Sequence, residues 1–278
     1  MKITSALASY LLSLAILGGV PGAYADELVE IAPHRAAVWP GSSEATPPLL
    51  GFLARPNGPD RFPAVVLLHG CTGFSGHDTE AAATLKSWGY VALAVDSLGD
   101  ANMCSARGGA AAEAFDAYAG LRYLTAQNFV SSSRIAIMGY SMGALAALTA
   151  VEIGWIEHAE QPGFRAVVAY YPLCQYSSGM LTAPALILIG ERDDSTLANS
   201  CRKLATHESD IGITRNAESG TSIELVGYPE ATPGFDVRSP PRNQGLFEQY
   251  DETASRDAAT RVRAFLGKEL GDEAAYPR

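Results

Sequence analysis

From residue 26 onward the chain predicts an α/β fold, a mostly parallel, doubly wound sheet with helices on both faces. Three observations predict it. Short apolar runs alternate with longer Ala- and Leu-rich runs almost to the end of the chain. The short runs are β-branched and apolar along their length, as strands covered on both faces are. The pentapeptide Gly139-Tyr140-Ser141-Met142-Gly143 then joins one such strand to a helix with no room for a loop.

The elements follow in order. Val29 to Trp39 and Leu49 to Ala54 are strand-like and precede the alternation. Ala64 to His69, Tyr90 to Asp96, Arg134 to Tyr140, Arg165 to Tyr171, Ala185 to Gly190 and Ser222 to Tyr228 read as the strands of the sheet. Between them Thr79 to Trp88, Ala111 to Ala126, Met142 to Ile153 and Leu197 to Ser209 read as helices, and Gly245 to Leu270 closes the chain with a long one. Helices of that length crossing over between strands build a parallel sheet. In such sheets the functional groups gather at the carboxyl ends of the strands.

The first 25 residues stand apart from this pattern. Lys2, an apolar stretch from Leu11 to Leu17 and the small-x-small sequence Ala23-Tyr24-Ala25 read as a signal peptide, leaving residues 26–278 as a single domain. The expected location is therefore outside the cytoplasm, periplasmic or secreted. No later stretch is apolar for long enough to span a membrane, so no span is expected in the mature chain. The net charge of −10 comes without a basic cluster, which excludes nucleic acid as an expected partner. The four cysteines, Cys71, Cys104, Cys174 and Cys201, are an even set that favours two disulfides in an oxidising compartment. Three connectivities are open. Cys71 with Cys104 and Cys174 with Cys201 is preferred, because three of the four closely follow predicted strands and Cys201 lies just inside the next helix. Their spacing lacks the C-x-x-C or clustered histidines of a zinc site, and neither metal nor cofactor is expected.

Three strand ends carry chemistry. G-x-S-x-G between a strand and a helix is the arrangement of a nucleophile elbow, which makes Ser141 the expected nucleophile and an acyl-enzyme the expected intermediate. An oxyanion hole would take one N–H from Met142 and one from the loop His69-Gly70-Cys71-Thr72-Gly73, with Cys71 the expected donor. In Gly190-Glu191-Arg192-Asp193-Asp194, Asp193 is the expected acid and Asp194 a solvated or capping residue. The third strand end, Tyr228 to Asp236, is where a base belongs, and it contains no histidine. The remaining candidates are weak substitutes: His77 reads as a surface-loop residue that can lean over the site, His69 as a strand-end packing residue and His207 as a helix-surface residue.

From about Ala54 to Leu270 the chain resembles the dienelactone hydrolase family of α/β-hydrolases. The resemblance rests on His69-Gly70-Cys71, Val95-Asp96-Ser97-Leu98-Gly99, the elbow, Gly190 to Asp193, and Tyr250-Asp251-Glu252 with Ala254, Asp257, Ala258 and Arg261. It implies the α/β-hydrolase fold and hydrolysis of a small-molecule ester or lactone. Where family members typically read Tyr-Pro-x-Ala-Thr-His-Gly-Phe-Asp, this chain places Pro233 at the histidine position. Ser141 stands where better-studied members carry cysteine. Arg107, which can meet an anionic substrate, reads as a solvated loop residue. A proline neither accepts a proton nor answers to Asp193. Two expectations follow: a serine hydrolase slowed by the loss of its triad histidine, or a non-catalytic binding or sensing protein on a hydrolase scaffold.

Overall fold

The structure, a computed structural model, describes residues 26–33, 47–97, 109–160, 162–193, 196–215, 220–238 and 248–271. The expected signal peptide, His34, Cys104, Arg107 and Asp194 lie outside the described residues.

Eight strands form one sheet in the order β1-β2-β4-β3-β5-β6-β7-β8. They are β1 (Glu27–Ile31), β2 (Leu49–Ala54), β3 (Phe62–Leu68), β4 (Val91–Asp96), β5 (Val130–Tyr140), β6 (Val167–Tyr170), β7 (Ala185–Gly190) and β8 (Ile223–Tyr228). β1 and β2 run antiparallel at one edge, and the six strands from β4 to β8 are parallel. The helices are α1 (Gly76–Ser87), α2 (Gly109–Thr125), α3 (Met142–Ala150), α4 (Trp155–Ala159), α5 (Ala198–Ala205) and α6 (Glu252–Leu270).

The strand period of two divides the core between the two faces of the sheet. Val66, Leu68 and Ile137 pack with residues of α2, α3 and α5, while Val65, Leu67 and Met138 pack with residues of α1 and α6. Every residue of β3 and β7 is buried, which is why those strands are apolar without alternation.

Several boundaries differ from the sequence expectation for local reasons. α1 starts at Gly76 because Ser75 and Asp78 form a capping box. α6 starts at Glu252 rather than Gly245, since the Asp251 carboxylate accepts the Ala254 N–H and sets the helix entry there. α5 ends at Ala205, two residues before His207 turns left-handed at φ 69°. Cys174 and Cys201 are bonded. Cys71 is also disulfide-bonded, and Cys104, its expected partner, lies outside the described residues.

Candidate functional site

The elbow is built by what its glycines lack. A Cβ on Gly139 would lie 2.1 Å from the Gly143 carbonyl oxygen, and one on Gly143 would lie 2.4 Å from the His69 oxygen and 2.6 Å from the Leu68 oxygen. All of these are backbone atoms, so neither position has space for a side chain. Their absence lets α3 start directly against the end of β3. Ser141 is thereby held at φ 52°, ψ −113°, a conformation that costs a non-glycine residue about 1–3 kcal/mol. The Ser141 N–H donates to the Tyr170 carbonyl at 2.9 Å. Its hydroxyl has no hydrogen-bond partner among the described residues. Met142 opens α3, and its N–H has no acceptor within the helix.

The loop after β3 lies against this turn, with a Cβ built on Gly70 falling 3.6 Å from that of Ser141. A turn closed by the Gly73 N–H on the Gly70 carbonyl at 3.1 Å shapes the loop around Cys71. His69 braces it. Its ring is 1% exposed, Nδ1 lies 2.9 Å from the Gly70 carbonyl, and Nε2 accepts the Ser97 N–H at 3.3 Å. Both nitrogens thus have backbone partners, with the Asp96 carboxylate 3.8 Å from Nε2, and the imidazole ties the loop to the end of β4.

The ends of β7 and β8 are stitched together. The Arg192 N–H donates to the Ala231 carbonyl at 3.0 Å and the Glu191 N–H to that of Tyr228 at 2.9 Å, and a Cβ on Gly190 would lie 2.3 Å from the Ala231 oxygen. Asp193 is buried beside this seam. One carboxylate oxygen accepts the Thr196 N–H at 2.7 Å, and the other accepts the Thr196 hydroxyl. Asp193 thus closes a local turn ahead of α5, whose first residue is Ala198. Pro233 is buried in the following turn, pinned by the Gln249 N–H to the Thr232 hydroxyl at 2.9 Å and the Asp251 N–H to the Phe235 carbonyl at 2.8 Å. Glu248 packs on Gly234, and burial, with the Asp193 charge adding to it, pushes its carboxyl above the usual range.

His77 departs from the sequence expectation. It lies in the first turn of α1, its N–H capped by the Ser75 hydroxyl at 3.3 Å, and its side chain is only 20% exposed. The ring meets Tyr140 edge-on with centroids 4.5 Å apart, and Nε2 lies 3.3 Å from the Asp236 carboxylate. Nε2 is buried, and the Asp236 carboxylate lies close enough to act on it both as a loosely aligned hydrogen-bond acceptor and as a charge. Burial alone would depress the imidazole, but Asp236, with Asp78 and Glu80 behind it, outweighs burial and raises it. The other Asp236 oxygen accepts the Tyr171 hydroxyl at 2.9 Å. Burial, then the Asp236 charge, hold Tyr140, Tyr170 and Tyr171 far above the usual phenol range, so all three stay protonated. A cavity of about 270 Å³ between α1 and α6 is lined in part by His77, Tyr140, Tyr170 and Asp236. Spacing in the sequence gives no sign of the His77–Asp236–Tyr171 cluster, because its pairings are made by the sheet order, and the local Asp193–Thr196 turn has no distinctive motif. Among the described residues no group of three or more His, Cys, Asp or Glu is placed to hold a metal ion, and no helix is long and apolar enough to cross a membrane.

The sequence profile of the dienelactone hydrolase family matches residues 49–270. A Bradyrhizobium protein described as a probable 2-oxo-3-(5-oxofuran-2-ylidene)propanoate lactonase is 27% identical over 191 residues, covering 57% of this chain and 72% of its own. Among solved structures, a dienelactone hydrolase-like promiscuous phosphotriesterase from metagenomic libraries superposes with a TM-score of 0.65 at 21% identity, over 90% of this chain and all of that one. Esterase 2 of Thermogutta terrifontis, phosphorylated by paraoxon, superposes with a TM-score of 0.65 at 17% identity, over 95% of this chain and all of its own. At these identities the structural likeness speaks for the α/β-hydrolase fold.

Proposed function

The chain belongs to the dienelactone hydrolase family, and we propose that it cleaves a small ester or lactone with Ser141 as the nucleophile. The observation that carries this reading is the elbow, where two glycines without room for a Cβ hold Ser141 in a strained conformation with its hydroxyl not spent on capping the helix. In the first step the Ser141 oxygen attacks the carbonyl carbon as its proton leaves. The Met142 and Cys71 N–H groups receive the oxyanion, a contribution of about 2.7–4 kcal/mol for each donor in serine hydrolases. The leaving alcohol takes a proton, and water then hydrolyses the acyl-enzyme. Asp193 is the acid of this reading, and with Pro233 at the position of the family's imidazole, turnover is slow.

The protein acts outside the cytoplasm, as the single domain 26–278 left when residues 1–25 are removed as a signal peptide. The Cys174–Cys201 disulfide supports this location. Pro233 alone favours a second reading, a binding or sensing protein that keeps the pocket without turnover. Hydrolysis of p-nitrophenyl acetate separates the two. The hydrolase reading requires the mature protein to exceed its Ser141→Ala variant, and equal background rates for both would leave the binding reading.

A further inference from the structure

We propose that His77, paired with Asp236, is the base that serves Ser141 in place of the imidazole missing at position 233. This rests on the reading of Ser141 as nucleophile.

The argument begins with position. A path of four contacts and two peptide bonds leads from Ser141 back to Ser141. The preceding residue, Tyr140, holds the His77 ring edge-on. His77 faces one oxygen of Asp236, and Tyr171 donates to the other. Tyr171 directly follows Tyr170, whose carbonyl accepts the Ser141 N–H. The His77 ring therefore packs on the residue before the nucleophile, and its carboxylate is held by the residue that follows Tyr170, the acceptor of the Ser141 N–H. Asp236 also sits in the turn that begins at Pro233, so the carboxylate is delivered by the segment that lacks the base.

Elimination points to the same residue. Both His69 nitrogens have backbone partners. The His158 side chain is 76% exposed on α4, and His207 lies in the turn after α5, its carbonyl accepting the Arg215 N–H at 2.7 Å. Among the described residues, His77 is the histidine at the carboxyl edge of the sheet with a carboxylate partner and an uncommitted nitrogen. The charged and titratable groups around it are Asp78 and Glu80 on its own helix, Tyr140 and Tyr170 on the sheet, and Asp236, Arg238 and Arg256 across the cavity.

The proton balance is simple. With the Nε2 proton facing Asp236, the Nδ1 lone pair takes the Ser141 hydroxyl proton, directly or through one water. The Ser141 oxygen bonds to the carbonyl carbon, and the imidazolium stays paired with Asp236. It returns the proton to the departing alkoxide as the C–O bond breaks.

The test is p-nitrophenyl acetate hydrolysis against pH for the mature protein and five variants. His77→Gln is expected to lose about 10²-fold or more in kcat, the usual share of a general base, and to reach the level of Ser141→Ala. Adding Pro233→His to His77→Gln is expected to recover activity, which a folding defect would not. Asp236→Asn is expected to move the acid limb of the kcat profile to lower pH, because the imidazole loses the charge that raises it. A His77→Gln variant that keeps wild-type turnover, an acid limb unmoved by Asp236→Asn, or loss confined to Glu248→Gln overturns the assignment of the base. A Ser141→Ala variant as active as wild type overturns the nucleophile instead, so the two failures are distinguishable.

Discussion

Ser141 occupies a backbone conformation that its neighbours make tolerable only by having no side chains. The strain is local, and it should be measurable. Ser141→Gly removes both the hydroxyl and the penalty for positive φ, so it is expected to abolish turnover while raising unfolding free energy by about 1 kcal/mol in urea titration. Gly143→Ala acts in the opposite direction. Its Cβ would meet two backbone oxygens that cannot step aside, and a loss of about 1–3 kcal/mol is expected in the same titration. At this scale much was legible in the sequence. The elbow, the loop around Cys71 and the proline at 233 are contiguous motifs whose chemistry is read from residue type. The engagement of Asp193 by Thr196 and the burial of His77 were not legible, because a carboxylate in a turn and a histidine after a glycine look alike whether exposed or paired.

At the scale of elements, α1 does more than cover the sheet. Its capping box fixes the first turn, and the first turn carries His77. Ser75→Ala is therefore expected to cost about 1 kcal/mol of stability and to lower turnover along with it, whereas Ser87→Ala, exposed at the far end of the same helix and outside the cavity, should leave turnover unchanged. The His77–Asp236 contact also links stability to pH. Because the folded-state value of His77 is raised, its contribution is fully present below about pH 6.5, the ordinary histidine value. It is lost as pH climbs through the raised value. Urea midpoints taken from pH 5.5 to 9 should show a decline in the wild type that Asp236→Asn reduces. The strand-and-helix alternation was legible because buried parallel strands are apolar throughout. Helix starts were less so, since Ser75 and Asp251 set them through side-chain bonds that outweigh the surrounding hydrophobic pattern.

At the scale of the molecule, sheet order turns distant segments into one edge. β5 lies between β3 and β6, and β7 pairs with β8, so the elbow adjoins the Cys71 loop on one side and the Tyr170–Tyr171 strand end on the other. The class of the fold followed from the alternation, but the His77–Asp236–Tyr171 cluster required the strand order itself. The Cys174–Cys201 bridge fastens the segment after β6 to α5 across 27 residues of sequence. Replacing both cysteines by alanine is expected to cost about 3–4 kcal/mol by the loop-closure argument, read as a lower urea midpoint. The central claim is that Ser141 is an activated nucleophile, and covalent labelling tests it most directly. Incubation of the mature protein with a fluorophosphonate, followed by peptide mass spectrometry, is expected to give one adduct, on the peptide carrying Ser141, absent from Ser141→Ala. No adduct on that peptide after prolonged incubation would contradict the account.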